Sequence, residues 1–409
     1  MFFDVVSRAE FLERCASFPI TGPETIALEN AHGRVLAEDV YAGEYLPQAA
    51  RSCMDGYAVR SRDVFGSGES NPTYLELQAE IEIDAFPDFR LEPGHCARIP
   101  TGGCLPADAD AVIMIEHTHD MGGTIEIRKS AAPGDNVMRK GEDAEPGKIV
   151  FPAGTRLRIQ DAGLLAALGC GEVRVRRRPR LAVLSTGNEV VPVDARPRPG
   201  QVRDVNSFTV RALARAAGSK AVFLGIVPDK AVALRTALEQ ALADNDAVFL
   251  SGGSSIGTRD LTMEALETLP ETRVLAHGVA MSPGKPTILA RQGSRAVLGL
   301  PGQTASAHVV MLMLGLPLLR RLEGDAAAFD EATRPRLRAE LARNIASRQG
   351  REDFIRVRLE HRPGDLPLAH PVPGRSGLMR TLVQSDGLAA IPASSEGLYA
   401  GGAVDVLLY

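Results

Sequence analysis

The sequence predicts a multidomain α/β plus β chain: a doubly wound α/β unit, a β-rich domain before it and a small β-barrel or sandwich after it. Three observations carry this. Between Leu181 and Leu300 four short apolar runs each end in a glycine-containing turn. Across 180–325 such strand-like runs alternate with helical patterns, the signature of a parallel sheet with helices on both faces. From Pro47 to Gly147 the segments are instead short, β-branched and separated by Gly, Pro or Asp, which reads as a small all-β domain.

The elements follow in order. Residues 4–18 read as an amphipathic helix with Val5, Phe11, Leu12 and Cys15 facing inward, and 24–45 as a strand-and-helix connector. Strands are predicted at Tyr74 to Ile83, His95 to Ile99, Ala111 to Ile115 and Thr124 to Ile127. A helix from Ile159 to Leu168 stops at Gly169-Cys-Gly171 before a strand at Val173 to Val175. The basic run Arg176 to Arg180 reads as a solvated hinge. Helices are expected at Phe208 to Ala217, Ala231 to Ala243, Leu261 to Leu269 and Ala305 to Leu322. The tail returns to β structure, with Phe354 to Leu359 alternating and Ala403 to Leu408 closing the chain.

Composition narrows the function. At 409 residues the chain is long enough for two to four domains. A net charge of −5 with no basic face argues against nucleic acid. Five cysteines without paired spacing fit neither a disulfide framework nor a zinc site. An early acid and no basic n-region argue against a signal peptide, and the apolar stretch Val309 to Leu319 is too short to span a bilayer. A cytoplasmic protein with no membrane partner is the expectation.

The chemistry-bearing residues stand at the predicted strand ends, where parallel sheets bind ligands. Ser251, Gly252, Gly253 and Ser254 allow close backbone approach and a nest of N–H groups for an anion. Thr258-Arg259 stands where a Walker A loop needs Lys-Ser/Thr, so an NTPase loop is rejected. Asp260 opens the next predicted helix as an N-cap, a metal ligand or both. Glu189 and Asp229 follow two other strand-like runs; each is a solvated loop or helix-start residue, or a magnesium ligand beside Asp260. Lys285, between Pro283 and Pro286, is either a surface turn or an aimed cation for an anion. Pro301-Gly302-Gln303 precedes a helix and presents its N–H groups to the same crevice. No Gly-x-Ser-x-Gly elbow supports a serine hydrolase, and no strand leads into Gly-x-Gly-x-x-Gly as in a nicotinamide dehydrogenase.

Taken together the segments resemble the molybdopterin molybdenumtransferase family, which includes MoeA and the E domain of gephyrin-type proteins. The resemblance rests on Arg51-Ser-Cys-Met-Asp-Gly-Tyr-Ala-Val59, Arg98-Ile-Pro-Thr-Gly-Gly103 with Ala107 to Ile113, and Asn136-Val-Met-Arg-Lys-Gly-Glu-Asp143. It continues through Ser185-Thr-Gly-Asn-Glu189, Ser251 to Asp260, Pro283-Gly-Lys-Pro286 and Leu300-Pro-Gly302, in the family order. Two positions depart from the pattern: Ser282, where a cationic residue is common, and Gln303-Thr304, where Asn-Pro is common.

The resemblance implies an N-terminal helix (1–26) on the α/β domain and an elongated connector (27–46 and 147–178). It further implies a β-rich domain (47–146), a MogA-like α/β domain (179–328) and a C-terminal β-barrel (329–409). It implies a homodimer whose cleft joins the α/β domain of one copy to the β-rich domain of the other, so that Asp55, Thr101 and Asp143 join the site. The reaction implied is transfer of molybdate, or tungstate, into adenylylated molybdopterin with Mg2+, giving molybdenum cofactor and AMP. Glu189, Asp229 and Asp260 then hold the magnesium, with Asp260, Glu189 and Lys285 as the catalytic group. Ser251, Gly252, Gly253, Ser254, Pro301 and Gly302 cradle the pterin and its phosphates; Ser282, Pro283 and Arg351 stand with Lys285 at the oxyanion. An upstream adenylyltransferase is the expected partner. The competing readings are that adenylyltransferase itself and a non-catalytic dimeric scaffold.

Overall fold

The computed structural model describes residues 5–252 and 256–409, with 256–260 described by backbone alone. The chain divides into two compact units. One comprises Met1–Glu38, Ala153–Arg158 and Val173–Tyr409; the other comprises Asp39–Pro152 and Ile159–Glu172.

At the centre of the larger unit is a six-stranded sheet. Lys220–Val227, Arg180–Thr186, Ala247–Ser251 and Arg295–Leu300 lie side by side and parallel. Ile288–Gln292 then runs antiparallel, and Thr272–His277 antiparallel to it. Two reversals restore direction, so Thr272–His277 ends at the same edge as the four parallel strands. Burial on both faces explains why the strands read as unbroken apolar runs. Leu181, Val183, Phe249 and Leu298 face one core with the helices Asn206–Ala216 and Thr304–Leu322. Ala182, Leu184, Val248 and Leu250 face the other, with Ala231–Asp244 and Ile256–Glu267.

The N-terminal helix is Arg8–Ala16, shorter than predicted, because Ser7 and Glu10 form a capping box that starts it. Phe11, Cys15 and Phe18 are fully buried against the sheet, each large apolar ring stabilising by about 1.5–3 kcal/mol. Val6, not Val5, is the inward valine: it bridges Val279, while Val5 stays exposed. Residues 24–45 hold most of the strand Pro23–Ala27, a single 3-10 turn and the short strand Val40–Tyr41, and no α-helix. The run Arg176 to Arg180 is not a solvated hinge. Arg176 donates to the carbonyls of Thr21 and Ala37, and Arg177 binds Asp246 through both nitrogens at 2.9 and 2.8 Å. Backbone carbonyls and one carboxylate absorb the charges of Arg176 and Arg177, while Arg180 stays exposed.

Helix Thr304–Leu322 is long and apolar enough to cross a membrane, yet it is mostly buried as the core helix of this unit. A π turn at Met311–Gly315 interrupts it; a side chain at Gly315 would meet the Met311 sulfur at 2.7 Å.

Five strands of the tail close on themselves: Glu352–Glu360, Leu368–Pro371, Arg336–Leu341, Ala403–Leu408 and Gly387–Ile391, which pairs back to the first. The ring is a barrel around Ala339, Leu341, Val357, Ala369, Ala389 and Val406. Met281–Ser282, on the loop after the last sheet strand, adds in parallel to the barrel strand through Glu352 and Asp353.

In the smaller unit six strands run in the order Ala111–Met114, Gly56–Val59, His95–Ile99, Thr73–Glu80, Thr124–Ile127, Thr118–Asp120. The strand Gly56–Val59, second from one edge, carries no apolar run long enough to read as a strand. Its glycine is required by close approach: a Cβ at Gly56 would lie 1.9 Å from the Ile113 carbonyl.

Candidate functional site

Two cavities lie in the larger unit, at the edge where the sheet strands end. The first, about 410 Å³, is lined by Ser185, Thr186, Glu189, Ser251, Gly252 and Gly302 among others. Backbone geometry shapes its floor. Gly252 sits at φ 145°, and a Cβ there would lie 2.2 Å from the Thr186 carbonyl, so only glycine lets these two strand ends approach. Ser251 is buried, and its Oγ accepts a 2.7 Å bond from Asn206 Nδ2. The same amide donates to the Gly302 carbonyl at 2.9 Å, tying the two predicted phosphate loops together.

Asn206 and Asp204 escaped the sequence reading. Asp204 accepts from the Ser207 N–H at 3.1 Å, capping helix Asn206–Ala216, and from the Ser185 hydroxyl at 3.0 Å. Their signal was available in Asp204-Val-Asn206 directly before a helical pattern, since Asp and Asn are cap residues. Asn206 lines the cavity wall, and its Oδ1 is buried without a hydrogen-bond partner.

Glu189 is exposed at the rim of this cavity. Asp229 is joined to its loop: Asn188 N–H donates to Asp229 Oδ2 at 3.1 Å, and Asp229 N–H donates to Asn188 Oδ1 at 3.2 Å. Burial first, then the nearby Glu189 charge, raise the Asp229 carboxyl above its ordinary value, although the Asn188 N–H opposes them. Asp229 Oδ1 is buried with no hydrogen-bond partner. Two converging carboxylates with an orphaned oxygen fit a divalent cation, which favours hard oxygen donors. Among the described residues no group of three acidic, His or Cys side chains forms a complete metal cluster.

Gly253 and Ser254 lie outside the described residues, as does the Asp260 side chain. The Asp260 backbone corrects one expectation. Helix Ile256–Glu267 begins four residues earlier, so Asp260 is in its second turn and does not open it. Ser255, of an equally good capping type, stands immediately before Ile256 in the sequence.

The second cavity, about 420 Å³, gathers Lys285, Ser282, Pro283 and Arg351, four residues predicted for one oxyanion site. Lys285 is exposed on a loop whose backbone is fixed. Its carbonyl accepts from Val279 N–H at 2.9 Å, Gly278 N–H donates to Thr287 O at 2.9 Å, and Ser282–Pro283 is cis. Arg351 comes from the barrel and is ion-paired at 2.9 Å with buried Asp353, whose other oxygen accepts from Ser347 Oγ at 2.7 Å. Arg348, Ser306 and Ser376 also line this cavity and were not foreseen. Arg348 stands three residues from Arg351, but its surroundings come from chain folding that residue type does not encode. No Asp or Glu side chain lines this cavity among the described residues. Pro301 is buried beneath Gly302, a structural place more than a lining one.

The remaining predicted residues lie on the smaller unit. Thr101 N–H donates to Asp55 Oδ1 at 2.7 Å, and that bond lowers the Asp55 carboxyl from its ordinary value. This contact lies within the smaller unit and favours the ionised form of Asp55. Asp143 is exposed on a separate turn, its N–H donating to the Leu46 carbonyl at 2.9 Å.

With this geometry, the comparisons agree on one family. Three family models match in order: the MoeA N-terminal region (domain I and II) over residues 6–169, a probable molybdopterin binding domain over 182–321 and the MoeA C-terminal region (domain IV) over 338–409. The molybdopterin molybdenumtransferase of a Nostoc species is 35% identical over 389 residues, covering 94% of this chain and 88% of that protein. That of Bacillus subtilis is 31% identical, covering 98% and 93%. A solved molybdopterin biosynthesis MoeA protein from Pyrococcus horikoshii superposes with a TM-score of 0.82 at 27% identity, covering 99% of this chain and all of that one. A second structure of that description reaches 0.75 at 36% identity, covering 99% of each chain. The chain belongs to the molybdopterin molybdenumtransferase family, transferases of molybdenum cofactor biosynthesis.

Proposed function

We propose that this transferase inserts molybdate into adenylylated molybdopterin, releasing AMP and molybdenum cofactor. One observation carries the reading. Lys285 and Ser282 from one loop and Arg351 from the distant barrel line one cavity, and no carboxylate lines its wall among the described residues. A tetrahedral dianion needs such a site, since charge-assisted hydrogen bonds are the strong ones and a carboxylate would repel it.

Lys285 and Arg351 hold molybdate, with Asp353 fixing the arginine plane. Ser251, Gly252 and Gly302, braced by Asn206, form the floor for the pterin phosphates and the nucleotide. Water attacks the diphosphate, the phosphoanhydride bond breaks, and AMP and the pterin phosphate separate; the two dithiolene sulfurs bind the molybdenum as one of its oxo groups leaves as water with their two protons. Magnesium, when held by Glu189 and Asp229 with Asp260, neutralises phosphoryl charge. Asp55, Thr101 and Asp143 serve the site of the second copy in a homodimer, in a cytoplasmic setting where an adenylyltransferase supplies the substrate.

The test supplies adenylylated molybdopterin, Mg2+ and molybdate or tungstate in parallel, and follows AMP. Release that depends on the oxyanion supports the reading; absence of release with folded protein sinks it. Mixing Asp55→Asn with Lys285→Gln chains tests the dimer, because one intact site should return in the mixed dimer. No recovery despite subunit exchange argues against shared sites.

A further inference from the structure

The strand-end cavity has a second wall to which the proposed reaction gives no task. After Glu189 the chain detours through 190–203 and returns on a short parallel ladder, Val190 pairing with Val202 and Val191 with Arg203. Val202 N–H donates to the Glu189 carbonyl and Asp204 N–H to the Val191 carbonyl, both at 2.9 Å, so the ladder delivers Asp204 to the start of helix Asn206–Ala216. Val190, Pro197, Val202 and Val205 line the cavity from this stretch of chain, and Met379 adds a further apolar side chain from the tail. Among them stands one buried carboxylate, Asp204, only 5% exposed.

This wall and the floor beside it differ in hydrogen-bonding sense. Asp204 Oδ1 accepts from the Ser207 N–H and Oδ2 from the Ser185 hydroxyl, both neutral donors, and one lone pair on each oxygen stays open. Ser185 uses its hydroxyl proton in that bond, so toward a ligand it only accepts. Ser251 is the reverse, because its Oγ accepts from Asn206 and its own proton is left to donate. A phosphate presents acceptors alone and suits the Ser251 side, whereas Asp204 and Ser185 call for N–H donors. A buried carboxylate gains most from two of them at once, since charge-assisted bidentate bonds are the strong ones. A pterin ring is a 2-amino-4-oxopteridine, and its amino group and ring N–H lie side by side as the N–H groups of a guanidinium do. Adenine instead sets its amino group beside a ring nitrogen that only accepts.

We propose that Asp204 is a specificity-determining residue that reads the amino and ring N–H edge of the substrate's pterin. The inference rests on the function proposed above and deepens it. The pterin ring lies along the apolar wall with that edge on Asp204, and its phosphates reach the floor at Ser251, Gly252 and Gly302.

The experiment titrates the full-length chain with pterin and, separately, with lumazine, the pteridine carrying oxygen in place of the 2-amino group, each followed by its own fluorescence. Wild type should bind pterin about 10- to 100-fold more tightly than lumazine. Asp204→Asn keeps a good helix-capping side chain but sets one amide donor and one acceptor where two acceptors stood. Its pterin affinity should fall about tenfold or more, and the preference should vanish or reverse, which a loosened fold alone would not produce. Thermal melts confirm that the variant is folded; if it is not, the wild-type comparison still decides. No pterin binding at millimolar concentration, equal affinity of wild type for the two pteridines, or a preference unmoved in folded Asp204→Asn each overturn the assignment. AMP release from adenylylated molybdopterin is read in parallel on wild type. Oxyanion-dependent release alongside any of those three results leaves the proposed function standing, and absence of release removes the reading on which the inference rests.

Discussion

The strand-end cavity and the lysine cavity are built from the same sheet edge, yet they carry opposite charge. The first has Glu189 at its rim, Asp229 behind it and a floor of backbone and amide groups. The second has Lys285, Arg348 and Arg351 and, among the described residues, no carboxylate. Neither difference follows from the fold class, since both loops begin where a strand of one sheet ends. What separates them is the second layer: a capped helix start behind one, a β-barrel behind the other. A family fold thus fixes where ligands sit, while the packed neighbour decides their charge.

That contrast can be broken at its floor first. Gly252→Ala forces a Cβ into the Thr186 carbonyl at a strained φ and should destabilise the larger unit by roughly 2–3 kcal/mol, read as a fall in melting temperature. An unchanged melt would mean the strand ends can part freely. Next, Lys285→Gln removes a charged donor from the cationic cavity. Molybdate affinity should fall about 10- to 100-fold, with little change in stability, because the side chain is exposed. Asn206→Ala frees Ser251 from the Gly302 loop and should cost about 1–2 kcal/mol of stability. Its larger signature is a raised KM for the nucleotide-bearing substrate and unaltered molybdate binding, which separates the two cavities.

The smallest effect is electrostatic. The Asp229 carboxyl is raised in the folded chain, so the folded state binds its proton more readily than the unfolded one does. Its contribution favours folding at low pH and is lost as pH rises from the ordinary carboxylate value through the raised one. Asp229→Asn should therefore be as stable as wild type or slightly more stable at neutral pH without magnesium, the effect being small because solvent screens this part-exposed group. That margin should shrink on acidification, and Mg2+ should stabilise wild type alone. Equal Mg2+ stabilisation of both proteins would remove Asp229 from the metal site.

The sheet was legible because its strands are buried on both faces and short apolar runs report that directly. Ser282, Pro283, Lys285 and Arg351 were assigned to one site from motif resemblance, and the fold brings them to one cavity. Gly56–Val59 was legible as a signature but not as a strand, because its demand is for a missing side chain. Asp260 misled: a capping residue type marks a helix start only where the chain is free to begin there. Arg177 and Arg356 were opaque for a different reason. A cation on a basic or alternating run has no local mark of its partner, and those partners, Asp246 and the Gly374 carbonyl, lie far along the chain or across a barrel turn.

The two-residue strand Met281–Ser282 hydrogen-bonds in parallel to the start of Glu352–Glu360, and Glu352 N–H donates to the Ala280 carbonyl at 3.0 Å. Lysine and arginine are thus stitched into one ladder across what would otherwise be a domain joint. Slippage of the barrel by a single residue would turn alternate side chains to the opposite face, and the anion grip would be lost before either domain unfolded. The C-terminal domain behaves in this respect as the second jaw of a vice whose screw is main chain.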